Sequence, residues 1–252
     1  MRKSWIIILS VVVVIVLGVG GFFIWKNMTD PGEIVNPDSG DDVQEEIGLA
    51  EKAIVKTVKI QESATSANRL IDVQYPSIQS FKNKDFQNYV NNAITDVILA
   101  YKDEIMVMID EETPDTALYV YRTTYEKFAN DNYLSLVITN DYNTGGIRSS
   151  KWKDIYNIDV STERIFYLAD IFPANVDYEK EILAEIARQA ESNNFTLMNG
   201  EGLKDLNDKQ KFYIDNGKLI IYFDESEIAP ATYGVLHFEM PFVLGEDGLF
   251  RS

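Results

Sequence analysis

The chain contains no cysteine and a single histidine among its 252 residues. Without cysteine it can form neither a disulfide nor a thiolate nucleophile, and it offers no cysteine ligand for a metal ion. One histidine, His237, cannot supply the multi-histidine ligand sets of zinc enzymes, and it is the only histidine base available to a serine nucleophile. The motif HExxH, the P-loop, G-x-S-x-G and the dinucleotide-binding fingerprint do not occur in the sequence either. Most metal-dependent, nucleophilic and nucleotide-dependent enzyme classes are therefore excluded, and we expect no cofactor.

Positive charge is scarce in this chain. Lysine and arginine number 23 against 40 aspartates and glutamates, which gives a formal net charge of −17 at pH 7. Such a field repels nucleic acid and anionic lipid, and it attracts cationic proteins, peptides and metal ions. We therefore expect no nucleic-acid partner and regard a cationic protein as the better candidate.

Charge is missing altogether from one long run near the N-terminus. No charged residue occurs between Trp5 and Trp25, and about 20 apolar residues suffice to cross a bilayer as a helix. Arg2 and Lys3 precede the run, which favours a cytoplasmic N-terminus. A cleaved signal peptide is the alternative, but no A-x-A-like cleavage site follows the run. The sequence thus predicts a membrane anchor over residues 1–26, with the rest of the chain outside the cell.

The segment after the anchor predicts a spacer. Residues 27–48 carry many acidic and no basic side chains and are rich in proline, glycine and aspartate, a composition typical of solvated, flexible linkers. Beyond it we expect two subdomains, residues 49–142 and 143–252, separated by the chain-breaking "NTGG".

The remaining pattern predicts an α+β fold made of mostly antiparallel sheets, each packed by one helix. Apolar residues recur at three- and four-residue steps over residues 83–109 and 177–191, which indicates two amphipathic helices. The pair Asn216–Gly217 between two strand-like runs is a strong hairpin signal. Segments rich in β-branched and aromatic residues predict the strands: 50–62, 68–78, 116–128, 133–142, 151–160 and 235–242. Pro76 places the end of the second strand at a sheet edge.

A row of tyrosines has two interpretations. Tyr119, Tyr121 and Tyr125 share one face of a predicted strand. Such a row can stack on sugar rings, but tyrosines in a sheet beneath a helix are more commonly half-buried core residues. We favour the core interpretation.

The segment 224–239 holds the best candidate side chains. Asp224, Glu225 and Glu227 lie together after a predicted strand, and they are able to hold a cation through oxygen ligands or to form a solvated turn. In the next strand His237 alternates onto the polar face, so we expect it to be exposed or paired with Glu239 rather than catalytic. A carboxylate pair of the glycosidase kind is compatible with so acidic a chain, although the sequence offers no means of choosing the pair.

Four segments, in the same order, resemble a known family. These are "VQYPSIQSF…FQNYVNNAI", "NTGGIRSSKWKDIYNIDV", "STERIFYLADIF" and "FYIDNGKLIIYFDESEIAPATYGVLHFEMPF". They are similar to an extracytoplasmic domain of unknown biochemical function, and the partner domain that precedes it, found in lysozyme-sensing anti-sigma-V factors and in a peptidoglycan deacetylase of Gram-positive bacteria. The resemblance covers roughly residues 53–245. The matching structural positions are Tyr75, Pro76, Gly145, Gly146, Gly217, Pro230 and Gly234.

The resemblance implies a cell-envelope binding domain whose ligand is lysozyme or a cell-wall glycan. The candidate contact residues are Glu227, Asp224, Glu225, Arg148 and Tyr233. Arg148 stands where the family often has histidine, so a role of that histidine does not carry over.

The chain also departs from the family at the level of whole domains. Only residues 1–4 precede the apolar run, so we do not expect an anti-sigma factor. No catalytic deacetylase domain is recognisable, so we expect binding rather than catalysis. A carboxylate-pair hydrolase acting on the cell wall, or a scaffold for another envelope protein, are the alternatives.

Overall fold

A computed structural model describes residues 49–64, 69–112, 118–144, 149–198, 203–207 and 209–251. The predicted anchor at 1–26 and the predicted linker at 27–48 lie outside these residues, as do Gly145, Gly146 and Arg148. Within the described ranges, no helix combines the length and the apolar character needed to cross a membrane.

The larger part of the fold is a six-stranded sheet with the order β1-β2-β3-β4-β5-β6. All neighbours pair antiparallel except β2 and β3, which are parallel. Alternating apolar side chains put one face of this sheet against a helix, as the period of two requires. The strands are β1 (Val55–Ala64), β2 (Arg69–Ile78), β3 (Tyr119–Asn130), β4 (Tyr133–Thr144), β5 (Ser150–Asp159) and β6 (Arg164–Ile165).

Helix α1 (Lys84–Glu112) forms the crossover that a parallel pair of strands needs. The Asn83 side chain caps it by accepting the backbone N–H groups of Asp85 and Phe86, each at 3.0 Å. The Glu163 carboxylate, in the β5–β6 turn, accepts two further N–H groups, from Lys82 and Asn83. All members of the predicted apolar stripe except Tyr89, which is half-buried, are buried against the sheet: Phe86, Val90, Ala93, Ile94, Val97, Ile98, Tyr101 and Ile105.

The tyrosine row and Pro76 behave as predicted. Tyr119 and Tyr121 are buried, and the Tyr125 hydroxyl is hydrogen-bonded to the Thr57 hydroxyl at 2.8 Å. β2 pairs with β3 only over 69–73, so the end of β2 that contains Pro76 pairs with β1 alone. This local edge tolerates the missing N–H of proline.

A second, smaller unit follows. It contains a three-stranded antiparallel sheet and helix α2 (Tyr178–Ser192), which Asp177 caps by accepting the N–H of Lys180. The turn between its first two strands is formed by Asn216 and Gly217, with φ of 48° and 74°, the left-handed geometry of a type I′ hairpin. Its strands are β7 (Phe212–Asp215), β8 (Lys218–Phe223) and β9 (Leu236–Glu239), and a short ribbon pairs β10 (Val243–Leu244) with β11 (Phe250–Arg251).

The α+β class is therefore observed, with mostly antiparallel sheets and two α-helices among the described residues. Each helix packs on one sheet: α1 contributes to the core of the first, and Ile182 and Ile186 of α2 to the core of the second. The two strands that follow the predicted subdomain boundary at residues 142 and 143 belong to the first sheet, because β5 pairs with β4 and β6 pairs with β5. The strands of the first sheet end at Ile165, and those of the three-stranded sheet begin at Phe212.

Polar side chains join the two units. The Asn157 amide donates to the carbonyl of Phe212 at 2.8 Å, and the Asn130 amide donates to the carbonyl of Ile214 at 2.9 Å. The Ser135 hydroxyl accepts the N–H of Ile214 at 3.2 Å. These three side chains of the first sheet occupy the place of a neighbouring strand along β7, and so satisfy backbone groups that burial would otherwise leave unpaired.

Candidate functional site

The candidate loop, residues 224–235, connects β8 to β9. It begins at Asp224, whose side chain is held in place. Its carboxylate accepts a hydrogen bond from the Lys211 ammonium at 2.5 Å and another from the backbone N–H of Lys153 at 3.3 Å. Lys153 belongs to β5, so this single side chain ties the loop to the open edge of the larger sheet. Asp224 is thus committed to a structural role at the base of the loop, a role that the sequence did not predict.

Glu227 closes the first turn of the loop. Its carboxylate accepts the N–H of Asp224 at 2.7 Å, while its own N–H donates to the carbonyl of Asp224 at 3.1 Å. Burial raises the pKa of Glu227, and the neighbouring Asp224 charge adds to the effect. Of the two interpretations, the turn is the observed one. In the described part of the chain, no group of three or more histidines or carboxylates is placed to hold a metal ion.

The tip of the loop is a short 3-10 turn that presents Tyr233. Pro230 precedes the turn and Gly234 ends it with φ of 67°, a conformation that favours glycine. The N–H of Tyr233 donates to the carbonyl of Pro230 at 3.0 Å, and Ile228 and Ala229 are buried beneath. The Tyr233 side chain is 43% exposed.

Two residues beside the tip were missed by the sequence reasoning. The ring of Phe195 lies 5.6 Å from that of Tyr233, and the N–H of Met198 donates to the carbonyl of Ile228 at 2.7 Å. Met198 is itself 36% exposed. Tyr233 and Phe195 therefore form an aromatic patch, and Met198 is joined to the loop through its backbone. The segment after α2 carries no periodic signal, so only the folded contacts bring these residues to the loop.

His237 is exposed on β9, as predicted from its alternation with the buried Phe238. It is opposite Tyr222 in the pairing of β8 with β9. Of the two alternatives predicted for His237, exposure or pairing with Glu239, exposure is the one observed, and the Glu239 carboxylate accepts a hydrogen bond from the Lys218 ammonium at 2.7 Å. Arg148, another predicted contact residue, lies outside the described residues.

A carboxylate that the sequence did not single out lies under α1. Asp154 of β5 accepts the Asn140 amide at 2.8 Å and the Tyr101 hydroxyl at 3.3 Å. Burial raises the pKa of Asp154, whereas Lys211 lowers it and Asp224 raises it. The alternation of strand β5 places Asp154 on the helix-facing side, but an aspartate at such a position gives no indication from sequence alone that it is buried.

Two family descriptions match this chain. Residues 61–149 match the family "Deacetylase PdaC", and residues 169–243 match "Protein of unknown function (DUF3298)". The first match covers most of the six-stranded sheet, and the second covers α2, the three-stranded sheet and the candidate loop. Strands β5 and β6 lie between the two matches, in residues that neither match covers.

Individual proteins of known sequence or structure are also similar to this chain. The anti-sigma-V factor RsiV of Bacillus subtilis (strain 168) is 26% identical over 220 residues, which cover 82% of this chain and 74% of that protein. A solved structure of a DUF3298 family member from Bacteroides fragilis has a TM-score of 0.55 at 15% identity, covering 79% of this chain and 94% of that chain. One from Pseudomonas aeruginosa PAO1 has a TM-score of 0.55 at 12% identity, with 77% and 93% covered. The resemblance predicted from the four segments is confirmed: this chain carries the domain that RsiV-like and PdaC-like proteins share.

Proposed function

We propose that this chain is an extracytoplasmic binding domain that contacts its ligand through the aromatic patch, with Glu225 and Glu227 beside it. The observation that supports this most directly is the exposure of Tyr233 on a loop whose backbone is held at both ends. The similarity to the anti-sigma-V factor RsiV and to the family "Deacetylase PdaC" supports a role at the cell envelope.

A fixed, exposed tyrosine is well suited to recognition. Tyrosine is enriched among the residues that dominate binding energy, since it buries a large area with few rotatable bonds. Because hydrogen bonds already hold the loop, little further ordering is required on binding, and that ordering otherwise weakens affinity. The ligand is proposed to be a cationic protein, with lysozyme as the first to test, because the net charge of −17 steers such a partner. A cell-wall glycan is the alternative ligand.

The proposed location is the outer side of the cell membrane. Its support is the uncharged run from Trp5 to Trp25 and the basic residues Arg2 and Lys3 before it. In this arrangement the binding domain is anchored by one helix and faces the cell wall.

We propose binding rather than catalysis. The loop carboxylate Asp224 is held by a lysine, and the Glu227 carboxylate accepts the Asp224 N–H, so both already serve the fold of the loop. A peptidoglycan-directed activity that is lost on replacement of one of these carboxylates would support the hydrolase alternative instead.

The test compares two exposed tyrosines on the full-length chain in mild detergent. Tyr233→Ala removes the centre of the patch, whereas Tyr167→Ala removes a tyrosine of 48% exposure in the 3-10 segment that follows the first sheet. Calorimetric titration with lysozyme is expected to show Kd raised at least about 30-fold by the first change, since a dominant contact residue is worth about 2 kcal/mol or more. The second change is expected to leave Kd within about threefold.

Equal losses in both variants, with unchanged thermal unfolding, would contradict the role of the patch. Absence of heat with the unaltered chain would remove lysozyme as the ligand. The same pair of variants would then be titrated with soluble peptidoglycan fragments.

A further inference from the structure

The carboxylate of Asp154 is held by neutral donors between α1 and the first sheet. Asn140 of β4 donates to it at 2.8 Å and Tyr101 of α1 at 3.3 Å. Asn140 is in turn fixed by the Tyr121 hydroxyl, which donates to its carbonyl oxygen at 2.9 Å. Asp154 is half-buried as a residue, but each of its carboxylate oxygens accepts a hydrogen bond from a neutral donor. Such a carboxylate is more costly to ionise than one in water, so its proton is retained to a higher pH.

The same strand carries the anchor of the candidate loop. Lys153 precedes Asp154 in β5, and its backbone N–H donates to Asp224 at 3.3 Å. The ammonium of Lys211 holds the other oxygen of Asp224 at 2.5 Å. The buried acid and the loop anchor are therefore one residue apart along the chain.

Two charged groups act on Asp154 from the second unit. The positive charge of Lys211 lowers its pKa, and the negative charge of Asp224 raises it. The Lys153 ammonium instead lies over the rings of Tyr213 and Tyr222, at 5.8 and 5.3 Å from their centroids.

The other titratable groups that interact with Asp154 are hydroxyls. They come from α1, β3, β5 and β8, and the pKa of each is raised above its ordinary value, chiefly by burial, so that all are neutral near pH 7: Tyr101, Tyr121, Tyr156 and Tyr222. The charge that responds to Asp154 is therefore concentrated in the Lys211–Asp224 pair.

We propose that the proton on Asp154 controls how firmly the candidate loop is anchored. With Asp154 protonated, Lys211 is available to Asp224 alone and the anchor is tight. With Asp154 ionised, its charge repels Asp224 and competes for Lys211, so the anchor loosens. Regulation of ligand binding by this route rests on the proposed function, but the anchoring itself requires no ligand and is tested without one.

The first experiment uses reciprocity between the two sites. The carboxyl carbon of Asp154 is titrated by NMR in the full-length chain, in Asp224→Asn and in Asp103→Asn, a control at an exposed acid of α1. Asp224→Asn is expected to lower the pKa of Asp154, because it removes the charge that raises it and leaves Lys211 unopposed. Each unit of that shift is a tenfold change in proton affinity. An unchanged midpoint in Asp224→Asn would overturn the proposal.

The second experiment follows the loop directly. Amide exchange of Glu227, Tyr233 and Gly234 is expressed relative to the unstructured rate at each pH. Protection is expected to fall as pH rises through the Asp154 midpoint in the unaltered chain and in Asp103→Asn. In Asp154→Asn this fall is expected to be absent, and only the effect of Glu227, whose carboxylate accepts the Asp224 N–H, remains. The same pH dependence in Asp154→Asn as in the unaltered chain would refute the coupling, whether or not lysozyme binds.

Discussion

At the scale of single residues, two aspartates have different roles because their surroundings differ. Asp224 is paired with a lysine where the two sheets meet, whereas the donors to Asp154 among the described residues are the neutral side chains of Asn140 and Tyr101. Burial is the largest influence on Asp154 and raises its pKa. The sequence showed two aspartates with no means of ranking them, because burial is set by residues distant in the chain.

The effect of Asp154 on stability follows from the direction of its pKa shift. Its pKa in the folded chain is raised above the unfolded value of about 3.9. Its stabilising contribution is therefore complete below about pH 4 and is lost as pH rises towards the folded pKa. Asp154→Asn cannot ionise, so its free energy of unfolding is expected to exceed that of the unaltered chain increasingly as pH rises from 4 to 8.

Chemical denaturation of the full-length chain at several pH values measures this difference. Asp103→Asn provides the matched control and is expected to show no such trend. A difference between Asp154→Asn and the unaltered chain that is constant with pH would contradict the assigned direction.

At the scale of secondary-structure elements, the joint between the sheets depends on three polar side chains rather than on apolar contact alone. Asn130, Ser135 and Asn157 supply hydrogen bonds along β7 that a neighbouring strand would otherwise provide. The loop that carries Tyr233 connects β8 to β9, which lie in the same sheet as β7. The position of the aromatic patch relative to the first sheet therefore depends on these bonds.

Asn157→Ala is expected to lower the free energy of unfolding by about 1–3 kcal/mol. The change leaves the carbonyl of Phe212 and the hydroxyl of Ser135 without their Asn157 partner in a buried site, and that range is typical of such groups. Asn92→Ala, on the exposed side of α1, is the control and is expected to be neutral or slightly stabilising, since alanine favours helix. Equal unfolding midpoints for the two variants would show that the joint contributes no stability.

At the scale of the whole molecule, the net charge of −17 is the property that most affects encounter with a ligand. Charge steering accelerates association with a cationic protein, and salt screens it with a Debye length of about 10 Å at 0.1 M. The apolar contacts of Tyr233 and Phe195 depend much less on salt. The net charge should therefore affect mainly the association rate, and the aromatic patch mainly the dissociation rate.

Raising salt from about 0.02 to 0.5 M is expected to slow lysozyme association by tenfold or more, with a smaller change in dissociation. Surface plasmon resonance on the detergent-solubilised chain measures both rates. Tyr233→Ala should show the reverse pattern, with faster dissociation and the same salt dependence of association. A dissociation rate that follows salt as steeply as the association rate would contradict this division of roles.

The sequence by itself determined the features that depend on local pattern. The three- and four-residue periodicity predicted α1 to within three residues at either end, and the pair Asn216–Gly217 predicted the hairpin turn. Each of these signals is carried by residues that are neighbours in the sequence. The alternation of β9 placed His237 outside the core for the same reason. The order of four segments was enough to indicate the family resemblance.

Only the tertiary structure decided which residues meet across the chain. It placed β5 in the first sheet, assigned Asp224 to the loop anchor, and brought Phe195 beside Tyr233. These outcomes depend on hydrogen bonds and packing between residues tens of positions apart, and burial, which sets the pKa of Asp154, is a property of the assembled fold. A local pattern carries no information about such partners, because any of several distant segments would satisfy it equally well.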